Sequence, residues 1–475
     1  MTTTLTPDIC VIGAGSGGLS VAAAAAAFGV SVVLVEKGKM GGDCLNYGCV
    51  PSKALIAAAR QAQAMREGAA FGVGACEPDI DFAAVHRHVR ETIAAVAPND
   101  SAERFTALGV HVIKAAGRFK DQQTLIAGKT EIRARRFVIA TGSSPLIPAI
   151  SGLDKVHYLT NETIFGLARK PRHLIVIGGG PVGLEMAQAF RRLGSQVTVL
   201  EAANALGKED PELAAVVLKQ LRVEGINIRE HARITRIAPL GKDEVHVGIA
   251  PGAGTHSVEG THLLVAVGRR ANLAGLDLDK AGIAHDERGL KVNSRLRTSN
   301  RRVYAVGDVT GAPQFTHAAN YHAGLVVRSA LFRLPARERR NIVPRVTFTD
   351  PELAHVGMTE AEAARTHRSI RVLRWPYSEN DRALAERRTH GHIKLIATAR
   401  GRLLGASIVG AQAGELINLW ALALSKNLKL RDIAAYVAPY PTMSEIGKRA
   451  AVTYFIPATR KPLVRRLVGL LRMFG

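Results

Sequence analysis

The sequence predicts an α/β fold in which two repeats of a βαβ unit are followed by a separate α+β domain. Three observations predict it. Residues 8–37, DICVIGAGSGGLSVAAAAAAFGVSVVLVEK, run from an apolar strand through Gly13-x-Gly15-x-x-Gly18 into an alanine-rich helix, then into a second strand ending at Glu36. Residues 173–202, HLIVIGGGPVGLEMAQAFRRLGSQVTVLEA, repeat the plan with Gly178, Gly180 and Gly183 and end at Glu201. From Pro344 the character changes to PRVTFTDPELAHVGMTEAEA, then to alternating strands such as residues 392–399, with helices near 414–426 and 443–454.

In both repeats the carboxylate follows the first glycine by 23 positions. A single Gly-x-Gly-x-x-Gly carries little weight, but here each copy has a strand before it, a helix after it and an acid at the right distance. The glycines make a tight turn and let the backbone approach a pyrophosphate, whose charge sits at the helix N-terminus. Glu36 and Glu201 are placed to accept hydrogen bonds from ribose hydroxyls. The pattern predicts two Rossmann-like dinucleotide-binding domains and two bound dinucleotides. Three further segments, 137–145, 263–272 and 303–311, are short apolar strands ending in glycine-containing turns, and the last sets Asp308 where a carboxylate meets ligand hydroxyls.

At 475 residues the chain predicts two to four domains. Its 47% hydrophobic and 22% charged residues indicate a globular protein. Residues 9–35 contain no charge, yet glycines and serines interrupt them repeatedly, so they read as strand, turn, helix and strand and not as a membrane span. No basic residue precedes the run, which argues against a signal peptide. The net charge of +23 is spread through RARR (133–136), RKPR (169–172) and RLPARERR (333–340), the pattern of an arginine-rich solvated surface. No aromatic-interleaved basic stripe accompanies it, so nucleic acid is not an expected partner.

Only four cysteines are present, Cys10, Cys44, Cys49 and Cys76. Such sparse use points to a reducing compartment, expected to be the cytoplasm, where a close pair is catalytic. Cys44 and Cys49 lie in MGGDCLNYGCVPSK, five positions apart. On a regular helix that spacing separates the Cα atoms by roughly 8 Å, beyond the ~4.4–6.8 Å of a disulfide. Either the thiols never meet, or Asn46, Tyr47 and Gly48 distort the segment between them.

With two dinucleotide sites and Cys-x4-Cys-x-Pro-Ser-Lys in the first, the sequence resembles the pyridine nucleotide–disulfide oxidoreductases, which include dihydrolipoamide dehydrogenase, glutathione reductase and mercuric reductase. The resemblance covers the chain to about Ala458. It implies an FAD domain in two segments (1–150 and 272–343), an NAD(P) domain between them (151–271) and a C-terminal dimer-interface domain (344–458), leaving a basic tail (459–475). It implies that the two cysteines pair in a distorted turn beside the flavin, Cys44 as the interchange thiol and Cys49 as the charge-transfer thiolate. Lys53 then matches the lysine at the flavin edge and Glu185 its carboxylate partner. Thr141, Gly142, Gly42 and Asp308 join Gly13, Gly15, Gly18 and Glu36 as FAD contacts. Gly178, Gly180, Gly183, Glu201 and Gly268 serve the nicotinamide nucleotide. Glu201 is followed by Ala202 and Ala203, without an arginine for a 2′-phosphate, so NADH is expected over NADPH. No metal site is expected.

The sequence departs from the family where disulfide reductases carry His-Pro-Thr-x-x-Glu. Here the stretch is PYPTMSE, so Tyr440 stands in the histidine's place and Glu445 keeps the carboxylate. A phenol titrates near 10 and an imidazole near 6.5, so at neutral pH Tyr440 donates a proton but barely accepts one. Tyrosine at this place resembles mercuric reductase, which also carries a vicinal cysteine pair near its C-terminus; the last cysteine here is Cys76. The expected activity is a dihydrolipoamide dehydrogenase-like transfer from NADH through FAD and the Cys44–Cys49 disulfide to a small or protein-borne disulfide or thiol acceptor. The alternatives are a mercuric reductase-like metal-ion reductase and an NADH:quinone reductase. The expected assembly is a homodimer with its active site shared across the interface. Peripheral membrane contact is expected of residues 460–475, where Leu463, Val464, Leu467, Leu470, Leu471 and Phe474 share a helical face apart from Arg465, Arg466 and Arg472.

Overall fold

Strand Ile9–Ile12 lies at the centre of a five-stranded parallel sheet. Across the sheet the strands are Val303–Ala305, Arg136–Ile139, Ile9–Ile12, Val32–Glu36 and Val110–Lys114. The structure, a computed structural model, describes residues 3–241, 244–250, 256–311 and 313–474. Alternate residues of the central strands feed two cores: Ile9, Val11, Val32 and Leu34 pack on one face, Cys10, Ile12, Val33 and Val35 on the other. A strand buried on both faces reads as an unbroken apolar run, which accounts for the charge-free stretch at residues 9–35. The helix Ser16–Ala27 needs small residues because it packs closely on the helix Thr316–Leu331. A Cβ on Gly17 would already stand 3.2 Å from that of Ala319.

A second parallel sheet in the same unit follows the order Asn227–Arg229, Gln196–Leu200, His173–Ile177, His262–Val265. Its helix Pro181–Arg192 opens with proline at the first turn, where the missing N–H costs nothing. Three antiparallel strands, Ile234–Leu240, Glu244–Ile249 and Ser257–Gly260, form a separate sheet. Both dinucleotide sheets and their glycine loops thus lie in one compact unit, residues 1–202 and 226–338.

The other unit comprises residues 339–475 together with 203–225. Its sheet, in the order Arg345–Thr347, Glu352–Gly357, Leu403–Gly410, His392–Thr398, Ile370–Pro376, is antiparallel throughout. The helices Ala413–Ser425 and Glu445–Thr453 contribute Trp420, Ile446 and Ala450 to its core. Residues 203–225 carry the helix Pro211–Val223, and their carboxylates explain why they belong to this unit. The buried Lys394 ammonium donates to Asp210 at 2.7 Å and Glu212 at 2.9 Å, and Arg345 holds Glu209 at 2.8 Å. A buried lysine needs such partners. Among the described residues no helix is long and apolar enough to cross a membrane.

The two glycine loops are built alike. A Cβ on Gly18 would stand 1.9 Å from the Gly13 carbonyl oxygen, and one on Gly183 would stand 2.1 Å from that of Gly178. The middle glycines are different: a Cβ on Gly15 would meet only the Gly42 Cα at 3.9 Å, and one on Gly180 nothing within 4 Å. Both middle positions have φ and ψ that alanine adopts freely. Gly183→Ala is therefore expected to lower stability by about 1–3 kcal/mol, the cost of overpacking. Gly180→Ala should stay within about 0.5 kcal/mol of wild type in the same denaturant titration. Equal losses at both positions would contradict this division of roles.

Candidate active site

The chain enters the site on the helix Gly42–Asn46, whose first turn is held by the Asn46 amide donating to the carbonyls of Met40 (3.0 Å) and Gly42 (2.8 Å). Tyr47 (φ −143°, ψ 0°) and Gly48 (φ −126°, ψ −110°) interrupt it, and Cys49–Glu67 resumes as a new helix. The interruption needs glycine at 48 for want of space: a Cβ there would lie 2.9 Å from an Asp43 carboxylate oxygen. The two-residue break folds the second helix back on the first. Cys44 and Cys49, both free thiols in this structure, come within hydrogen-bonding reach of each other. Of the two possibilities left open by the spacing, the distorted segment is the one found.

Their protons are unequally held. The Cys49 thiol is pulled down to about 6, first by its hydrogen bond with Cys44, then by Thr316 and the Lys53 ammonium. Cys44 is pushed up, first because it donates that hydrogen bond to Cys49 and then by burial. Within the pair the bias is therefore toward Cys49 as the thiolate and Cys44 as the holder of the proton. Thr316 is the first residue of its helix and sets its hydroxyl 3.4 Å from the Cys49 sulphur. Lys53, one turn beyond Cys49, reaches across to Glu185 at 2.8 Å. Glu185 is buried on the helix Pro181–Arg192, so this ion pair ties the helix of the cysteines to the glycine-loop helix of the second sheet.

A second polar network runs behind the cysteines. Arg269, directly after Gly268, meets Asp43 at 3.1 Å and donates to the Ser143 hydroxyl at 2.7 Å. Ser143 in turn donates to Asp308 at 2.5 Å, and Asn161 donates to the other side of the network, Asp43, at 2.9 Å. Burial raises Asp308 above the usual carboxylate range, and Ser143 and Arg269 partly offset this. Thr141 donates to the Asn272 carbonyl at 2.8 Å. Gly142 and Gly268 each leave open space where a Cβ would be.

The carboxylates at the ends of the two repeats match each other. Glu36 accepts from the Ala14 amide at 2.6 Å, and Glu201 accepts from the Gly179 amide at 2.7 Å, each tying strand end to glycine loop. Open backbone at Gly15 and Gly180, helix N-termini behind them and a carboxylate beside each form two cradles that fit two dinucleotides.

Tyr440 and Glu445 belong to the other unit. Tyr440 is 68% exposed, and its hydroxyl donates to Asp381 at 2.9 Å. Its pKa is raised, chiefly by that hydrogen bond and the Asp381 charge, with Glu445 a smaller contributor. The carboxylate that holds the phenol is thus Asp381, which sequence patterning did not single out. Thr316, Arg269 and Asp43 were missed as well. Their partners lie from 118 to 267 residues away, so no local pattern announces them.

Two dinucleotide cradles converging on a dithiol define a nucleotide-dependent dithiol oxidoreductase. The pyridine nucleotide-disulphide oxidoreductase profile matches residues 7–323, and that of the family's dimerisation domain matches residues 343–451. A mercuric reductase from Streptomyces lividans is 37% identical over 459 residues, covering 94% of this chain and 96% of the relative. A dihydrolipoyl dehydrogenase from Thermus scotoductus is 36% identical over 453 residues, covering 93% and 95%. Among solved structures, the Cu(II) complex of RclA, an HOCl-induced flavoprotein disulfide reductase from Escherichia coli, superposes with a TM-score of 0.84 at 28% identity, over 94% of this chain and 99% of that one. The chain belongs to the pyridine nucleotide-disulphide oxidoreductase family, as an FAD-dependent enzyme that uses a pyridine nucleotide and carries the family's dimerisation domain.

The unequal proton holding has a direct signature. In the reduced protein, thiolate absorbance should titrate with a half-point near pH 6, present above it and lost as pH falls through it. Thr316→Val removes a hydrogen bond to the charged form, so the half-point should move upward. An unshifted titration would mean that Thr316 only packs.

Proposed function

We propose that this enzyme reduces a disulfide or thiol-bound acceptor with electrons from NADH, in the manner of dihydrolipoamide dehydrogenase, with Cys44 and Cys49 as the dithiol. The observation that carries the reading is the Cys44–Cys49 contact, with Cys49 as the more acidic thiol beside the Lys53–Glu185 pair. When bound, FAD supplies the two-electron relay between nicotinamide and dithiol. The helix N-termini behind Gly15 and Gly180 hold the pyrophosphates, and Glu36 and Glu201 offer their carboxylates to ribose hydroxyls. Gly42, Thr141, Gly142 and Asp308 complete the FAD cradle, and Gly268 the nucleotide side.

Cys44 loses its proton and attacks one sulphur of the acceptor disulfide, releasing the other sulphur as a thiolate that takes up a proton. Cys49 then attacks the Cys44 sulphur, closing the Cys44–Cys49 disulfide and freeing the second acceptor thiol. Lys53 keeps Cys49 ionised, and Glu185 keeps Lys53 in place. Thr316 steadies the thiolate through its hydroxyl. In the proposed homodimer the site is shared across the interface, with Tyr440 held by Asp381 as a proton donor to the departing group and Glu445 adding negative charge nearby. The proposed setting is the cytoplasm, in keeping with the sparse cysteines.

One observation favours a second reading, that of a metal-ion reductase like mercuric reductase. With its hydroxyl engaged by Asp381 and its pKa raised, Tyr440 is a poor base, and Cys49, already biased to the thiolate, needs no base before its sulphur binds a metal ion. The two readings separate on Tyr440. Tyr440→Phe should slow turnover with the physiological acceptor by about 10²-fold or more where proton transfer limits, while flavin reduction by NADH is nearly unchanged. Tyr440→His should raise dihydrolipoamide–NAD⁺ turnover well above wild type. High lipoamide turnover in the unaltered enzyme would remove the need for a base. If Cys44→Ser kept full activity toward quinones alone, the quinone reductase reading would replace both.

NADH should also be preferred over NADPH by at least about tenfold in kcat/KM, because Glu201 accepts from a 2′-hydroxyl and repels a 2′-phosphate. Arg229, the register neighbour of Leu200, is a cation on the adjoining strand. Equal use of the two nucleotides, abolished by Arg229→Ala, would assign the 2′-phosphate to that residue.

A further inference from the structure

Beyond residue 451, where the match to the dimerisation domain stops, the chain continues into the helix Pro462–Leu471 and a short 3-10 turn, Arg472–Phe474. Every described residue from 459 onward is exposed. At 3.6 residues per turn, Leu463, Val464, Leu467, Leu470, Leu471 and Phe474 fall within an arc of roughly 120°. Arg465 and Arg472 lie on the opposite side, and Arg466 borders the apolar arc. This is an apolar helix face left in water: Leu467 is 56% and Phe474 81% exposed.

Two features say what covers it. Residues 446–474 contain no aspartate or glutamate, yet they include Lys448, Arg449, Arg460 and Lys461 besides the three arginines of the helix. A second copy of the chain would bring the same seven cations against themselves across a two-fold axis, in a protein already at +23. An anionic partner relieves that repulsion, and an apolar face bordered by arginines fits a partner that is apolar beneath an anionic surface. At 1.5 Å per residue the segment 462–474 is about 20 Å long, shorter than the ~30 Å hydrocarbon core of a bilayer. It therefore suits the interface plane, where leucines enter the acyl boundary and arginines meet phosphates. We propose that residues 460–474 seat this oxidoreductase on the surface of an anionic phospholipid membrane.

Co-sedimentation with vesicles tests this, using three-to-one phosphatidylcholine–phosphatidylglycerol and pure phosphatidylcholine. Full-length protein should partition at least about tenfold more onto the anionic vesicles, and high salt should weaken the binding. A protein stopped after Thr459 and a full-length double variant, Leu467→Asp with Leu470→Asp, should both lose it. Both should keep wild-type flavin reduction by NADH and the wild-type oligomeric state, which separates this result from misfolding. Equal partition onto neutral vesicles, absence of binding to anionic ones, or retained binding in the double variant would overturn the proposal. A change of oligomeric state in the double variant would also overturn it, by assigning the face to a second copy.

Discussion

Two thiols five residues apart work together only if the helix carrying them is broken between them, and the break must leave both halves well ordered. Gly48 meets that constraint by its lack of a side chain, since Asp43 and Cys44 crowd the space a Cβ would take. Asn46 closes the turn before the break, and Cys49 begins a 19-residue helix after it. Once the sulphurs meet, their proton is held unequally, and the acidity of Cys49 follows from its neighbours. The polar networks around it hold that contact in place.

The Lys53–Glu185 pair shows how the two dinucleotide sheets are coupled. Its partners are 132 residues apart, and each sits on a helix of a different sheet. Removing Lys53 would take a cationic partner from the buried Glu185 carboxylate, and breaking a buried pair costs more than the pair itself stabilises. The ion pair thus acts on register, fixing the cysteine helix against the nucleotide loop, and its charge lowers the Cys49 pKa as well. The Arg269 network acts likewise from behind, joining Asp43, the residue before Cys44, to Asp308 and Ser143.

The other unit answers to different constraints. Its buried Lys394 draws in residues 203–225 through carboxylates at the start of the helix Pro211–Val223, so chain order and packing part company there. Its Tyr440 is held at the surface by Asp381, which suits a donor and disfavours a base. Further on, a helix with an exposed apolar face, in a stretch (446–474) without aspartate or glutamate, has the chemistry of a surface-seeking segment.

The sequence by itself determined what short-range periodicity and spacing can carry. Both glycine fingerprints with their terminal carboxylates, the strands around them and the cysteine pair were all legible, because each is set by residues within about one βαβ unit of each other, and Tyr440 in place of a histidine came only from the family resemblance. Gly18 and Gly183 proved to be packing glycines in the structure, each touching its own loop. Tertiary structure alone decided how the charges are paired. Thr316 against Cys49, Arg269 against Asp43, Asp381 against Tyr440 and Lys394 against Asp210 join residues from 59 to 267 positions apart. Sequence spacing holds no record of such meetings. They depend on where the sheets and helices come to rest, and at Lys394, where burial removes water, the pairing is obligatory.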